Sequence, residues 1–160
     1  MHTEFRPADP EHEMRSLLAF DRKVFRPSDR FDKSYWRTLE VYWMLAAGVK
    51  VGCCAFETHV DFGEDSREDG LNPPMRGSLF IATTGILPRF QGRGFGRLLK
   101  AWEIAYAGYH GFHRIVTNTR KRNTAMIAMN RGFGFRILRT SPAYYDDPPD
   151  ATVVMELRLQ

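Results

Sequence analysis

A chain of 160 residues, 43% hydrophobic and 26% charged, has the size and composition of one ordinary globular domain, with enough apolar material to close a core without a disulfide or metal staple. Its longest mostly apolar run, residues 41–49, is far short of the roughly 20 residues that span a bilayer, and residues 1–6 hold no apolar stretch of the signal-peptide kind, so a soluble, cytoplasmic chain is expected. The formal charge of +4 suits an anionic ligand; charge by itself leaves nucleic acid, or a plain surface excess of lysine and arginine, as alternatives.

In chain order, residues 3–6 read as a short strand. Asp9 then stands as an N-cap before Pro10, with Glu11 and Glu13 in the first turn. Met14, Leu17, Leu18, Val24 and Phe25 mark one helical face, and Pro27 ends the helix. Residues 32–40, carrying Tyr35, Trp36 and Leu39, predict a second, shorter helix. Strands at 41–47 and 50–59 meet at Gly48 as a hairpin. The second strand holds Cys53 and Cys54, whose side chains point to opposite faces, so they neither bridge nor chelate together and a reducing compartment is the natural setting.

Residues 61–77 form an acidic loop (Asp61, Glu64, Asp65, Glu68, Asp69) ahead of a strand at 78–87. A glycine-rich turn occupies 91–96. The helix that follows runs to Tyr109, with Phe95, Leu98, Leu99, Trp102, Tyr106 and Tyr109 spaced for one buried face. A strand at 114–118, a short helix started by Asn123, and strands at 135–140 and 152–159 complete the chain. The order is strand, two helices, three strands, helix, strand, helix, two strands. It predicts a mixed α/β layer around one sheet, a single domain over residues 1–160.

The segment Gln91-Gly92-Arg93-Gly94-Phe95-Gly96-Arg97 joins a strand to an amphipathic helix. Helix starts leave backbone N–H groups without partners and carry a positive dipole end, so an anion is stabilised there. Glycines let a phosphate approach without striking Cβ atoms, and Arg89, Arg93 and Arg97 add full charges. A dinucleotide fingerprint starting at Gly92 would need glycine at position 97, where Arg97 stands, and no Gly-Lys-Ser/Thr P-loop is present. A glycine turn that merely starts a helix is the plainer reading. If the helix makes the usual right-handed crossover, strands 78–87 and 114–118 are parallel and Arg120-Lys121-Arg122 emerges beside the turn. That places six basic side chains near one edge, which suits a ligand with several phosphates such as coenzyme A; taken by itself, 120–122 is better explained by a solvated loop.

At these residues the chain resembles the GNAT (Gcn5-related N-acetyltransferase) family. Gln91, Gly94 and Gly96 meet the family's [Gln/Arg]-x-x-Gly-x-[Gly/Ala] pattern at a strand-to-helix turn, and Thr84-Gly85-Ile86-Leu87-Pro88 resembles the strand end before it. Asn123-x-x-Met126-x-x-x-Asn130-x-x-x-Gly134-Phe135 resembles the second signature, an asparagine-started helix followed by Gly-Phe. The likeness is strongest over residues 78–140. It implies a mostly antiparallel sheet of about seven strands with helices on both faces and one parallel strand pair at the coenzyme A site. It also implies acetyl-CoA as cosubstrate. The amides of Gly92, Arg93, Gly94, Phe95, Gly96 and Arg97 would hold the pyrophosphate, beside Gln91. The strand at Thr84, Gly85 and Ile86 would pair with the pantetheine arm, one N–H there polarising the thioester carbonyl. Asn123 would face the ligand as well as cap its helix; a pure cap is the alternative.

Transfer requires a neutral amine to attack the thioester and a thiol to leave, so a proton must be lost and another supplied. Many members of the family place a tyrosine acid seven residues after the signature asparagine. Here that position is Asn130, which can donate a hydrogen bond but no proton, in keeping with a known Asn-x-x-Met-x-x-x-Asn sub-pattern. The glutamate base of the ribosomal-protein acetyltransferase branch would fall at Asn118 and is absent. The C-terminal stretch Tyr144-Tyr145-x-x-x-x-x-Asp150-Ala151-x-Val153-x-Met155 resembles that same branch, and a Tyr-Tyr pair in related N-terminal acetyltransferases contacts the peptide. Tyr144 or Tyr145 would then bind substrate or act as acid, unless both pack the loop at 141–149. Glu57 and His59 are fallback bases.

His110 and His113 have no third ligand nearby, so no metal is expected. The acceptor would be an amine, on a peptide N-terminus or a small molecule; a homodimer is compatible with the sequence. A non-catalytic acyl-CoA sensor is the competing reading. A nucleic-acid module fits poorly, because the basic residues gather at one turn and the aromatics keep core periodicity.

Overall fold

The computed structural model describes residues 2–57 and 77–159. The acidic residues at 61–69 and His59 lie outside the described residues. Among those described, seven strands form one mixed sheet in the order β1-β2-β3-β4-β5-β7-β6. The strands are β1 (Thr3–Ala8), β2 (Glu40–Ala46), β3 (Val49–Glu57), β4 (Ser78–Ile86), β5 (Arg114–Arg120), β6 (Arg136–Asp146) and β7 (Pro149–Arg158); the helices are α1 (Pro10–Val24), α2 (Lys33–Arg37), α3 (Phe95–Tyr109) and α4 (Thr124–Gly132). The element order is the one the sequence pattern predicts, and β4 with β5 is the parallel pair. By backbone contacts the described residues divide into two compact units, one of residues 2–57 with 82–99 and one of 77–81 with 100–159.

In the first unit, α1 starts where the cap chemistry says it should. Asp9 accepts from the Glu11 N–H at 3.0 Å, and Glu13 reaches back to accept from the Asp9 N–H at 2.8 Å, so two otherwise orphaned donors are satisfied. The helix ends at Val24, ahead of Pro27, which opens a short 3-10 turn instead of terminating the helix. Its buried residues are Leu17, Phe20 and Asp21; the predicted stripe missed the last two. Helix α2 covers only Lys33–Arg37, capped by Asp32, whose carboxylate accepts from the Tyr35 N–H at 2.8 Å. Strands β2 and β3 meet at Ala47 (φ 48°) and Gly48 (φ 79°), two consecutive left-handed residues of the kind that match the twist of a tight hairpin. The core here gathers Leu17, Phe20, Trp36, Leu39, Val41, Trp43, Leu45, Cys53 and Ala55. Cys53 belongs to this cluster and Cys54, also buried, does not, as alternation along a strand requires. Burial pushes the Cys53 thiol well above its ordinary range, so it is an inert core residue.

In the second unit, β5 lies between β4, to which it is parallel over Ser78–Ile81, and β7, to which it is antiparallel over its whole length. Strands β6 and β7 form a long hairpin. Two differences from the sequence reading matter for the site. Strand β5 runs two residues further, to Arg120, and β6 continues through Tyr144 and Tyr145 to Asp146, where a loop was expected. The β-pairing carries this extension past a bulge between Ser141 and Tyr145, with Ala143 at φ 55°.

Helix α3 also turns a different face inward. Its buried residues include Phe95, Leu99, Glu103 and Ala107, four apart, together with Lys100, whereas Leu98 is 49% and Tyr109 88% exposed. The interior pairs Lys100 Nζ with Glu103 at 3.4 Å, and the ammonium lies 5.6 Å from the Phe135 ring centroid. Trp102, Tyr106 and His110 stack along the flank of the helix at centroid distances of 5.4 and 4.2 Å. The stripe expected from the aromatics lies about a quarter of a turn away from the buried one. A second buried charge organises the sheet: Glu156 accepts from Arg114 at 2.6 Å, Arg136 at 2.7 Å and Arg158 at 3.1 Å.

Candidate functional site

After β4 the chain makes a 3-10 turn at Pro88–Phe90 and then the glycine turn that begins α3. Gly92 (φ 76°) and Gly94 (φ 86°) both occupy the left-handed region, which explains glycine at these two positions. A Cβ built on either would meet no heavy atom of the described residues within 4 Å, so among them the space over the turn is open. The helical ladder begins with Leu98 N–H donating to the Gly94 carbonyl at 3.3 Å; the first N–H groups of a helix have no carbonyl of their own helix to bond. Gln91 does not reach outward: its Nε2 donates to the Ile86 carbonyl at 2.9 Å and ties the turn to the end of β4. The Phe90 ring carries two guanidinium groups, Arg89 at 4.7 Å and Arg93 at 5.7 Å from its centroid. Two left-handed glycines under open space, a helix start and arginines fixed beside it fit a phosphate or diphosphate.

The end of β4 is packed to contact. The parallel register with β5 covers Ser78–Ile81 and stops, leaving residues 82–86 of β4 outside it. On Gly85 a Cβ would lie 2.9 Å from Val24 Cγ1, 3.4 Å from Phe20 Cζ and 3.5 Å from Phe25 Cζ, so the end of α1 rests directly on the strand. Across the sheet, a Cβ on Gly52 would lie 2.7 Å from Ile86 Cδ1 and 2.8 Å from the Gly85 carbonyl oxygen. Leu87 N–H closes the strand pair by donating to the Val51 carbonyl at 2.8 Å. The Gln91 bond to the Ile86 carbonyl thus links the 91–97 turn to the strand end at Thr84, Gly85 and Ile86, all within the first unit.

The second unit holds the remaining predicted site residues. The Tyr145 hydroxyl lies 3.5 Å from Asn118 Nδ2 and 3.5 Å from Thr152 Oγ1, and Asn118 also donates to Thr152 at 3.2 Å. The Arg120 guanidinium sits 4.2 Å from the Tyr145 ring centroid. It is held there by hydrogen bonds to the carbonyls of Pro148 at 2.6 Å and Asp147 at 3.3 Å. Tyr144 is edge-on to Tyr145 at 5.0 Å and exposed. Asn130 is only 1% exposed, its Nδ2 pointing at the Met155 sulfur at 3.7 Å, and its Oδ1 has no hydrogen-bond partner among the described residues. Asn123 caps α4, accepting from the Met126 N–H at 3.2 Å. Gly134 (φ 98°) ends that helix and sends Phe135 into the core, which explains the Gly-Phe pair.

The basic run at 120–122 is not a free patch. Arg120 braces the β6–β7 turn and Tyr145, and Arg122 pairs with Asp150 at 3.2 Å and donates to the Pro149 carbonyl. Burial pushes the Asp150 carboxyl up, but bonds from the N–H groups of Arg122 and Ala151, with the nearby Arg122 and Arg120 charges, hold it below its usual value. Two of the three residues are thus spent on the hairpin. The sequence reading missed Thr152 and the Arg120–Tyr145 stack; the signal for both was a β6 strand running to the hairpin turn. Among the described residues, no group of three or more histidine, cysteine, aspartate and glutamate side chains is placed to hold a metal ion. No described helix is long and apolar enough to cross a membrane.

The same fold is found in solved structures of low sequence identity. The ribosomal-protein-S18-alanine N-acetyltransferase of Escherichia coli superposes with a TM-score of 0.79 at 13% identity, over 99% of this chain and 95% of that one. NAA60 of Arabidopsis thaliana, in complex with acetyl-CoA, gives 0.79 at 13% identity over 99% of both chains. An acetyltransferase of Bacillus subtilis, in complex with CoA, gives 0.78 at 16% identity over 99% of this chain and all of that one. No curated protein matches the chain in sequence. The sequence model of the acetyltransferase (GNAT) family matches residues 11–135, and the chain belongs to that family. It is an enzyme of the N-acetyltransferase class.

Proposed function

We propose that the protein transfers an acetyl group from acetyl-CoA directly to an amine, on a peptide N-terminus or a small molecule. The observation that carries this reading is the turn at 91–97: two left-handed glycines under open space at the start of α3. In this reading the amides of Gly92 to Arg97 bind the pyrophosphate, with Gln91 holding the turn rather than the ligand. Residues 84–86, outside the parallel register, pair with the pantetheine arm, and a backbone N–H there stabilises the carbonyl oxygen as negative charge develops on it. Asn123 faces the ligand from its cap position.

The neutral amine nitrogen bonds to the acetyl carbon and gives up a proton to water, the carbon–sulfur bond breaks, and the thiolate takes a proton as coenzyme A leaves. Tyr145 is the acid we assign to that step. Its hydroxyl lies within 3.5 Å of Asn118 Nδ2 and Thr152 Oγ1 and its ring against Arg120, whereas Asn130 is buried and carries no acidic proton. Tyr144, exposed beside it, contacts the acceptor. The test is thiol release from acetyl-CoA across a panel of peptides and small amines. Wild type should turn over at least one of them, and Tyr145→Phe should lower kcat by about 100-fold, the low end of what general acid catalysis contributes. Thiol release by no member of the panel, with coenzyme A still bound, would favour the sensor reading.

A further inference from the structure

The segment between α1 and α2 is held by two side chains with no place in the reaction as described. Asp21 is 2% exposed, on the last full turn of α1. One carboxylate oxygen, Oδ2, accepts from the Phe31 N–H at 3.0 Å and from the Trp36 indole N–H at 3.1 Å. Arg30 closes the other side: its Nε donates to the Phe25 carbonyl at 2.9 Å and its Nη2 to the Arg22 carbonyl at 3.3 Å. Together they fix residues 25–36 against the end of α1. Burial outweighs these bonds and the Arg30 charge and raises the Asp21 carboxyl above its ordinary value, so the acid sits where it costs stability. A buried acid kept at such a place calls for a reason beyond packing.

The geometry of the neighbouring contacts supplies one. Val24 and Phe25, one turn beyond Asp21, lie on Gly85 with Phe20. Val24, Phe25, Phe31 and Tyr35 all pack on the core cluster that also receives Ala82 and Leu87, which flank the strand segment 84–86 assigned above to the pantetheine and thioester. We propose that Asp21 is a positioning residue, which through Val24 and Phe25 sets the place of the β4 backbone at Gly85 for the acyl-transfer step. This inference rests on the acetyl-CoA reading of that strand. It separates two things the site does: the glycine turn holds the pyrophosphate, and the Asp21 latch aligns the reacting end.

The experiment compares Asp21→Ala, Asp21→Asn and Arg30→Ala with wild type, measuring coenzyme A affinity by calorimetry, kcat and KM for acetyl-CoA, and the indole N–H resonances by ¹H–¹⁵N correlation. Asp21→Asn keeps an oxygen where both donors converge and should hold kcat within about threefold, with the Trp36 resonance near its place. Asp21→Ala should shift that resonance and lower kcat by about tenfold or more, while coenzyme A affinity stays within about twofold, since an aligning contact far from the chemistry can cost a factor of that size. Arg30→Ala, which removes no core atom, should show the same split in milder form, and it serves if Asp21→Ala does not fold. Wild-type kcat in both Asp21→Ala and Arg30→Ala would overturn the proposal. So would loss of coenzyme A affinity in step with kcat. Failure of the wild type itself to bind coenzyme A would overturn the underlying reading instead.

Discussion

Gly85→Ala places a methyl group 2.9 Å from Val24 Cγ1, with Phe20 Cζ at 3.4 Å and Phe25 Cζ at 3.5 Å. Carbon pairs are comfortable at roughly 3.5–4.0 Å, so the collision is with valine, whose branched side chain has little rotamer freedom, and the phenyl rings are at the edge of contact. Overpacking of this size costs about 1–3 kcal/mol. Val24→Ala removes the clashing atom, and on a half-buried side chain its own cost is about 1 kcal/mol. If the two effects were independent, the double variant would lose about 2–4 kcal/mol; because the second change relieves the first, it should lose only about 1 kcal/mol. Urea unfolding of wild type, both single variants and the double variant gives the coupling directly. Gly52→Ala is the internal contrast. Its methyl meets the Gly85 carbonyl oxygen at 2.8 Å as well as Ile86 Cδ1 at 2.7 Å, so Ile86→Val, which removes only the side-chain atom, should recover little of the loss. Simple additivity of Gly85→Ala and Val24→Ala would refute the contact between α1 and β4.

Glu156 gives the pH dependence. Burial pushes its carboxyl up, but bonds from Arg136, Arg114 and Arg158 outweigh this and hold it below its usual 4.5, so its contribution is complete above that value and is lost as pH falls through the lowered one. Arg136 and Arg158 are exposed and count for little, whereas Arg114 is buried; Glu156→Gln should cost about 3 kcal/mol at pH 7 and flatten the acid limb of the stability curve. Asp21 acts with the opposite sign: its carboxyl is raised from 3.8, so its contribution is present below that value and lost as pH rises through the raised one. Asn123→Ala removes the cap bond to Met126 N–H and should destabilise the protein by about 1 kcal/mol in thermal unfolding, with Asn123→Asp near neutral.

The order of elements was legible because each boundary carries local chemistry: Asp9 and Asn123 as caps, left-handed Gly48, Gly92, Gly94 and Gly134 at turns. The parallel β4–β5 pair followed from crossover handedness. Three things were not legible, each for a tertiary reason. Helix α3 buries a lysine–glutamate pair in place of part of its aromatic stripe, because two opposite charges three residues apart can enter a core together. Strand β6 passes through Pro142 and a left-handed Ala143, which read as loop residues until β7 is there to pair with the rest. Arg120 looked like a phosphate ligand by charge, but a strand two residues longer turns it onto Tyr145 and the hairpin carbonyls.

Titration of coenzyme A into the wild type and into Gly94→Val, followed by calorimetry, tests the acetyl-CoA reading most directly. A Cβ at position 94 meets no heavy atom of the described residues within 4 Å, but valine there must adopt φ near 86° and stand in the open space over the turn. The account predicts a clear heat of association for wild type and affinity at least about tenfold weaker, or about 1.4 kcal/mol, for the variant, which remains folded. No heat with wild type, or equal affinities for the two proteins, would contradict it.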